Sequence, residues 1–382
     1  MRTMQLIAAG AMLAAASASA GIPTDNPLRT PVDRVVDAAA TTFFSDRCHV
    51  GLSMVITDHG RRSFYDYGTV SKARPALPTR RTLYEIGSIT KTFTGALAAK
   101  ALLAGTMTLD GDFRTYLREP YPNLEKGGKP ITLRTLASHT SGMARDIPNN
   151  DDLLQGKPDF NRLPFLLMAR EKGYDRARYL KDLDDVALAS EPGTTMRYSN
   201  IGVKLIGFAL ETIAGLDLTQ LLSRDILGPL EMTDTTLLPS RSQLGRLAQA
   251  YLPGGNPAPG RLDMDPNVGA AGGLFSSTSD MVKYAEWQLD ERNPVIARAH
   301  QPIWGSPDTF AVGLIWDIGK TKDGERRLWH SGGTFGMSSQ MILLPESQQA
   351  YVMLANDACE NTQSQLEAIA LTVRSAIPNG KS

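Results

Sequence analysis

Ser88 and Lys91, in the stretch GSITKTF (87–93), stand three residues apart at the head of an apolar run. On a helix that spacing puts both side chains on one face, so the amine can reach the hydroxyl and take its proton. The start of a helix also offers unpaired backbone N–H groups that favour developing negative charge. Apolar surroundings favour a neutral amine, the form able to act as a base near neutral pH. Alone, the same spacing also describes a helix cap followed by a solvated lysine, so the chemistry needs partners.

Two other stretches supply them. Tyr198-Ser199-Asn200 follows the turn EPGTTMR and precedes an apolar helical pattern. A phenol there can relay a proton, and an amide can both donate and accept, which suits work on an amide or ester. Tyr121-Pro122-Asn123 matches the same pattern, but it lies in a proline-flanked loop and is assigned to chance. In WHSGGTFG (329–336), His330, Gly332 and Gly333 fall on a predicted strand. The glycines allow close approach to the strand edge, and an edge N–H can face an oxyanion. His330 could bind an anion or transfer a proton, since its reference pKa of about 6.5 lies near working pH; the alternative is a structural histidine. Ser141, in SHTSG, is another hydroxyl but has no lysine or other base at helical spacing.

Rival chemistries find less support. No G-x-S-x-G elbow is present, which argues against an α/β-hydrolase triad. The five histidines show no H-E-x-x-H or comparable spacing, against a zinc site, and there is no Walker or dinucleotide glycine pattern.

The elements that must position these residues come from a chain of 382 residues, 42% hydrophobic and 21% charged, enough for one large domain or two interleaved ones. Lys plus Arg and Asp plus Glu number 40 each, so no global field recruits nucleic acid or an anionic membrane. Residues 1–20 combine Arg2, an apolar stretch and the exit Ala18-Ser19-Ala20, the pattern of a secretory signal removed after Ala20. The apolar stretch is about half of the roughly 20 residues needed to span a bilayer. The expected product is soluble and exported, periplasmic or secreted, with residues 21–31 as a linker. Cys48 and Cys359 are the only cysteines; in an oxidising compartment they could pair, or they could be small buried hydrophobes.

Residues 32–44 have helical periodicity, and 50–58 with 62–68 form a hairpin pattern around His59-Gly60. Residues 89–104 read as a buried helix ended by Gly105. From 106 to roughly 300, short helical patterns such as 131–138 and 201–214 alternate with Gly- and Pro-rich loops. Strands return at 311–319, 326–333, 338–346 and 350–357, closed by a helix over 362–376. The fold class is therefore α/β (α+β), one sheet built from both chain ends with a helical region inserted between them.

S-x-x-K at 88–91, Y-S-N at 198–200 and H-S-G at 330–332, in this order, resemble the serine β-lactamase and penicillin-binding-protein superfamily, in its class C β-lactamase-like branch. ITLRTLASHTSGM (131–143), EPGTTMRYSNIGVKLIG (191–207), LGPLEMTDT (227–235) and GAAGGLFSSTSDM (269–281) strengthen the resemblance, which covers about 32–377. It implies a five-stranded antiparallel sheet flanked by helices, with a sheet part at 32–105 and 300–377 and an all-helical part at 106–299. It also implies that Ser88 is the acylated nucleophile, Lys91 its base and Tyr198 the proton shuttle. Asn200 would bond Lys91 or the substrate amide. The N–H groups of Ser88 and Gly333 would form the oxyanion hole, with His330, Gly332 and Gly333 along the substrate. No metal or organic cofactor is implied. Substrates would be small peptides, β-lactams or esters.

One departure stands out: class C β-lactamases usually carry lysine where this chain has His330, and an unperturbed histidine is mostly neutral at pH 7. Histidine there is similar to certain DD-peptidases. Asp146 falls near where relatives place a substrate-amide contact. The first strand lies antiparallel to the last in this family, which implies a Cys48–Cys359 disulfide. The resulting expectation is an exported serine hydrolase that cleaves D-Ala-type bonds of peptidoglycan peptides. A β-lactamase, a carboxylesterase of the same fold and a non-catalytic binding member are the alternatives.

Overall fold

The structure, a computed structural model, describes residues 21–259 and 269–377. The expected signal over 1–20 lies outside the described residues. Among those described, no helix is long and apolar enough to cross a membrane.

The 32–44 pattern forms helix α1 (Pro31–Phe43), because its start is chemically specified. The Thr30 side chain accepts from the Asp33 N–H at 3.0 Å and the Asp33 carboxylate accepts from the Thr30 N–H at 2.9 Å. Pro31 occupies the first turn, where its missing N–H leaves no intrahelical bond unmade. Val36, Ala40 and Phe43 recur at helical spacing and are all buried.

The hairpin is strand β1 (Gly51–Asp58) and strand β2 (Arg61–Gly68). Later strands are β3 (Trp304–Ser306), β4 (Phe310–Val312), β5 (Asp317–Lys320), β6 (Arg326–Gly333), β7 (Ser338–Leu344) and β8 (Gln349–Ala355). They make one antiparallel sheet in the order β2-β1-β8-β7-β6-β5-β4-β3. The sheet is thus eight-stranded rather than five-stranded, because three short strands extend it beyond β6. The 311–319 pattern also does not run as one strand. It breaks between β4 and β5, where the Gly313 N–H bonds the Trp316 carbonyl at 2.8 Å and Ile315 takes a positive φ of 76°.

β1, β7 and β8 are buried along nearly their whole length because both faces of the sheet are covered. On one face, Leu52, Met54, Ile56, Tyr351 and Met353 pack with Val36 and Phe43 of α1 and with Leu366 and Val373 of helix α5 (Thr362–Arg374). On the other, Val55, Met341, Leu343 and Val352 join a larger core that includes Phe93 and Leu97 of helix α2 (Thr90–Leu103). α2 is buried almost all round, between the sheet and the helical region, and so carries no polar stripe. Its N-terminus therefore opens at the junction of the two parts.

β1 pairs with β8 in the register Leu52↔Ala355, so the residues just before one strand and just after the other meet. Cys48 and Cys359 are joined there in a disulfide with Cα atoms 6.0 Å apart. Beside it, His49 Nδ1 lies 2.9 Å from Asp357 Oδ1, and Asp357 Oδ2 accepts from the Val50 N–H at 2.9 Å.

Candidate active site

A tight turn at Gly87–Ile89 delivers Ser88 to the head of α2. Lys91, one turn on, is fully buried, and its Nζ donates to Ser88 Oγ at 2.8 Å. The same Nζ makes a short bond to the Ala271 carbonyl. That carbonyl belongs to a helical turn at Gly269–Gly272, which is tied to α2 by Thr94 Oγ1 on the Ala270 carbonyl at 2.8 Å and by the Leu274 N–H on Thr90 Oγ1 at 3.1 Å. The lysine is thus aimed by two acceptors on separate segments.

Tyr198 Oη donates to Ser88 Oγ at 2.7 Å, and Lys91 Nζ sits 4.9 Å from the Tyr198 ring centroid. Burial pushes the phenol pKa up to about 12, with the Ser88 hydrogen bond and Arg145 acting against it. The phenol therefore keeps its proton near neutral pH and is equipped to donate one.

The Y-S-N stretch holds its place through helix α4 (Asn200–Ala214). Ser199 caps it: its hydroxyl accepts from the Gly202 N–H at 3.2 Å and donates to the Ala144 carbonyl at 2.7 Å. The Asn200 N–H bonds the Arg145 carbonyl at 2.8 Å, and Asn200 Nδ2 donates to Asp146 Oδ1 at 2.8 Å. The loop that follows helix α3 (Leu133–Ala137) is thereby clipped to the Tyr198 turn. Asp146 enters the site as the partner of Asn200.

The strand edge closes the third side. Ser339, opposite Gly332 in the β6–β7 ladder, sends its Oγ to the Ile86 carbonyl at 2.8 Å, just ahead of Ser88. A side chain on Gly332 would stand 2.1 Å from that carbonyl, so only glycine lets the bond form. A Cβ on Gly87, whose φ is +51°, would meet the Gly333 nitrogen at 2.8 Å. The turn bearing Ser88 therefore packs directly on the Gly333 backbone.

His330 is buried, and its Nδ1 lies 2.7 Å from the Ser331 carbonyl. A carbonyl only accepts, so Nδ1 carries the hydrogen and Nε2 presents a lone pair. Burial, then the charge of Lys91, pulls the His330 pKa down to about 4. At neutral pH it is an acceptor rather than a cation.

One residue at the site was not singled out in the sequence. His139 packs on Tyr198 with ring centroids 4.5 Å apart, and burial with the charges of Lys91 and His330 pulls its pKa down to about 3. Its Nδ1 accepts from the Ser199 N–H at 3.3 Å. Its one signal in the chain is its place within ITLRTLASHTSGM. Ser141 is buried in the next turn, where its hydroxyl accepts from the Met143 N–H at 3.4 Å. The second Y-x-N, at Tyr121, is scaffolding: Tyr121 Oη bonds the Leu180 carbonyl and Asn123 Nδ2 bonds those of Leu183 and Val186.

A family model described as Beta-lactamase matches residues 32–374. The chain belongs to the Beta-lactamase family. Members of this superfamily are serine hydrolases, and so is this chain. It is 28% identical over 357 residues to D-alanyl-D-alanine-carboxypeptidase/endopeptidase AmpH of Escherichia coli (strain K12), covering 88% of this chain and 87% of that protein. It is 26% identical over 347 residues to a Beta-lactamase of Providencia stuartii, covering 80% and 82%. Among solved structures, it resembles a Beta-Lactamase/D-Alanine Carboxypeptidase from Pseudomonas syringae with a TM-score of 0.74 at 20% identity, covering 91% of this chain and 100% of that one. A class C beta-lactamase in complex with cefoxitin gives a TM-score of 0.76 at 20% identity, covering 91% and 99%. At that identity the structural likeness speaks for the fold.

Proposed function

We propose that the protein is an exported serine DD-peptidase, a carboxypeptidase or endopeptidase for D-Ala-type bonds of peptidoglycan peptides, acting through an acyl-enzyme on Ser88. The observation that carries the chemistry is the convergence of Lys91 Nζ and Tyr198 Oη on Ser88 Oγ, at 2.8 and 2.7 Å. In acylation, Ser88 Oγ bonds the substrate carbonyl carbon while its proton passes to Lys91 in its neutral amine form. The carbonyl oxygen becomes an oxyanion facing the N–H groups of Ser88 and Gly333, each such donor contributing about 3 kcal/mol. Collapse breaks the C–N bond as Tyr198 gives its proton to the leaving amine and is reprotonated through Ser88's neighbour Lys91. Water then hydrolyses the ester by the same groups in reverse.

The AmpH resemblance over most of both chains supports the peptidase. So does His330, an uncharged acceptor where class C β-lactamases usually carry lysine. The Providencia stuartii relative supports a β-lactamase as the second reading. Mass spectrometry after penicillin exposure tests both. A Ser88 adduct that persists for many minutes, with release of D-Ala from a D-Ala-D-Ala peptide, is expected. An adduct that clears within seconds favours the lactamase, and no adduct with no hydrolysis removes the enzymatic reading.

The pH dependence follows from His330. Because its folded pKa lies near 4, the neutral form persists down to that pH. The expected kcat/KM profile has an acidic limb falling through about pH 4 that His330→Ala removes. A limb at 6 to 7 abolished by the same substitution would contradict the buried, neutral assignment.

A further inference from the structure

The strand edge brings no positive charge to the substrate. His330 donates from Nδ1 to its neighbour's carbonyl, which leaves Nε2 as a lone-pair acceptor. Lys91 is buried beneath the serine, committed to Ser88 and the Ala271 carbonyl. The opposite wall differs. Arg145 lies in the loop after α3, its guanidinium carbon 5.3 Å from the Tyr198 ring centroid.

Three observations set this arginine apart from an ordinary surface cation. Its backbone is fixed, since its carbonyl accepts the Asn200 N–H at 2.8 Å and the Ile201 N–H at 3.4 Å, the first N–H groups of α4. Its side chain is about half exposed, at 54%, with Nε 3.5 Å from Asp146 Oδ2. Asp146 in turn is engaged by Asn200 through its other oxygen, and among the described residues the two terminal guanidinium nitrogens make no hydrogen bond. A planar fork with two free donors, held over the phenol that protonates the leaving group, matches a carboxylate in shape and charge.

We propose that Arg145 is the anion-recognition residue of this site and that it binds a carboxylate carried on the leaving group of the substrate. This rests on the reading that Ser88 is acylated with Tyr198 facing the leaving group. It places the cation on the helical wall rather than on the strand edge. It also makes a leaving group ending in a free carboxylate, such as a C-terminal amino acid, the preferred class.

The test uses a matched pair of esters, 3-acetoxybenzoate and its methyl ester, in which one methyl group removes the leaving-group charge. The readout is the ratio of kcat/KM for the acid to that for the ester, in the wild type, Arg145→Gln and Arg145→Lys. Arg145→Gln is expected to lower that ratio about tenfold through KM, the scale of one charge-assisted hydrogen bond at a half-exposed site. Arg145→Lys should keep part of it, because lysine retains the charge and loses the fork. An unchanged ratio overturns the proposal, including the case where both rates fall together, which would mean that Arg145 works only through Tyr198. If the wild type turns over neither ester, penicillin labelling of Ser88 decides the hydrolase reading separately. Equilibrium dialysis of 3-hydroxybenzoate then decides the anion site: weaker binding to Arg145→Gln supports it and equal binding overturns it.

Discussion

Lys91→Ala is expected to slow acylation of Ser88 by about 10³- to 10⁴-fold, the upper range for loss of a positioned proton acceptor. The side chain has no exposure to solvent and meets two acceptors, Ser88 Oγ at 2.8 Å and the Ala271 carbonyl. No other described group is placed to take the serine proton. Tyr198 keeps its own because burial pushes the phenol up to about 12, and His139 and His330 have been pulled down to about 3 and about 4. Removing the amine leaves the Ala271 carbonyl without that donor, at a cost of about 1–3 kcal/mol, against a typical stability of about 5–15 kcal/mol. The fold should therefore survive, and Lys91→Met, which fills the space without a proton acceptor, serves as the packing control. Penicillin labelling read by mass, beside a thermal melt, makes the measurement. A folded Lys91→Met protein that still labels within tenfold of wild type would place the base elsewhere.

Much of this arrangement was legible in the chain because chemistry at short range leaves a short-range signature. Ser88 and Lys91 are one helical turn apart, and the turn, cap and glycines around Tyr198 and Gly332 are local devices as well. What the sequence did not show is how those pieces touch. The missing Cβ of Gly332 matters because Ser339 reaches past it to the Ile86 carbonyl, a contact across 253 positions of sequence. His139 gave no pattern of its own, since packing beneath a phenol requires only a flat, buried ring. Arg145 and Asp146 sit in a loop without periodicity, and their roles come from the carbonyl and carboxylate that they turn toward Asn200. The sheet's extra strands escaped for a different reason. Residues 311–318 are buried almost without interruption, so neither the break after β4 nor the reversal at Ile315 altered the apolar run. The family resemblance supplied a count of five, and the three short strands beyond β6 raise it to eight.

The second large effect concerns the covalent link between the chain ends. A Cys48→Ser/Cys359→Ser double variant is expected to lose about 2–5 kcal/mol of stability, seen as a lower urea midpoint. The bridged residues are 311 apart in sequence, so the bond removes a large share of the freedom of the unfolded chain, and the entropic model places the effect near the top of that range. The folded state has little need of it. β1 and β8 pair through seven residues, and Asp357 holds His49 and the Val50 N–H at 2.9 Å each, beside the bridge. The loss should therefore come from the unfolded side of the equilibrium. At low urea the variant should label with penicillin as wild type does, since the bridge follows the end of β8, and β7 stands between β8 and the Gly333 end of β6 that faces Ser88. Equal midpoints with and without the disulfide would show that the unfolded chain is already compact. A folded variant with altered labelling would show instead that the bridge shapes the site.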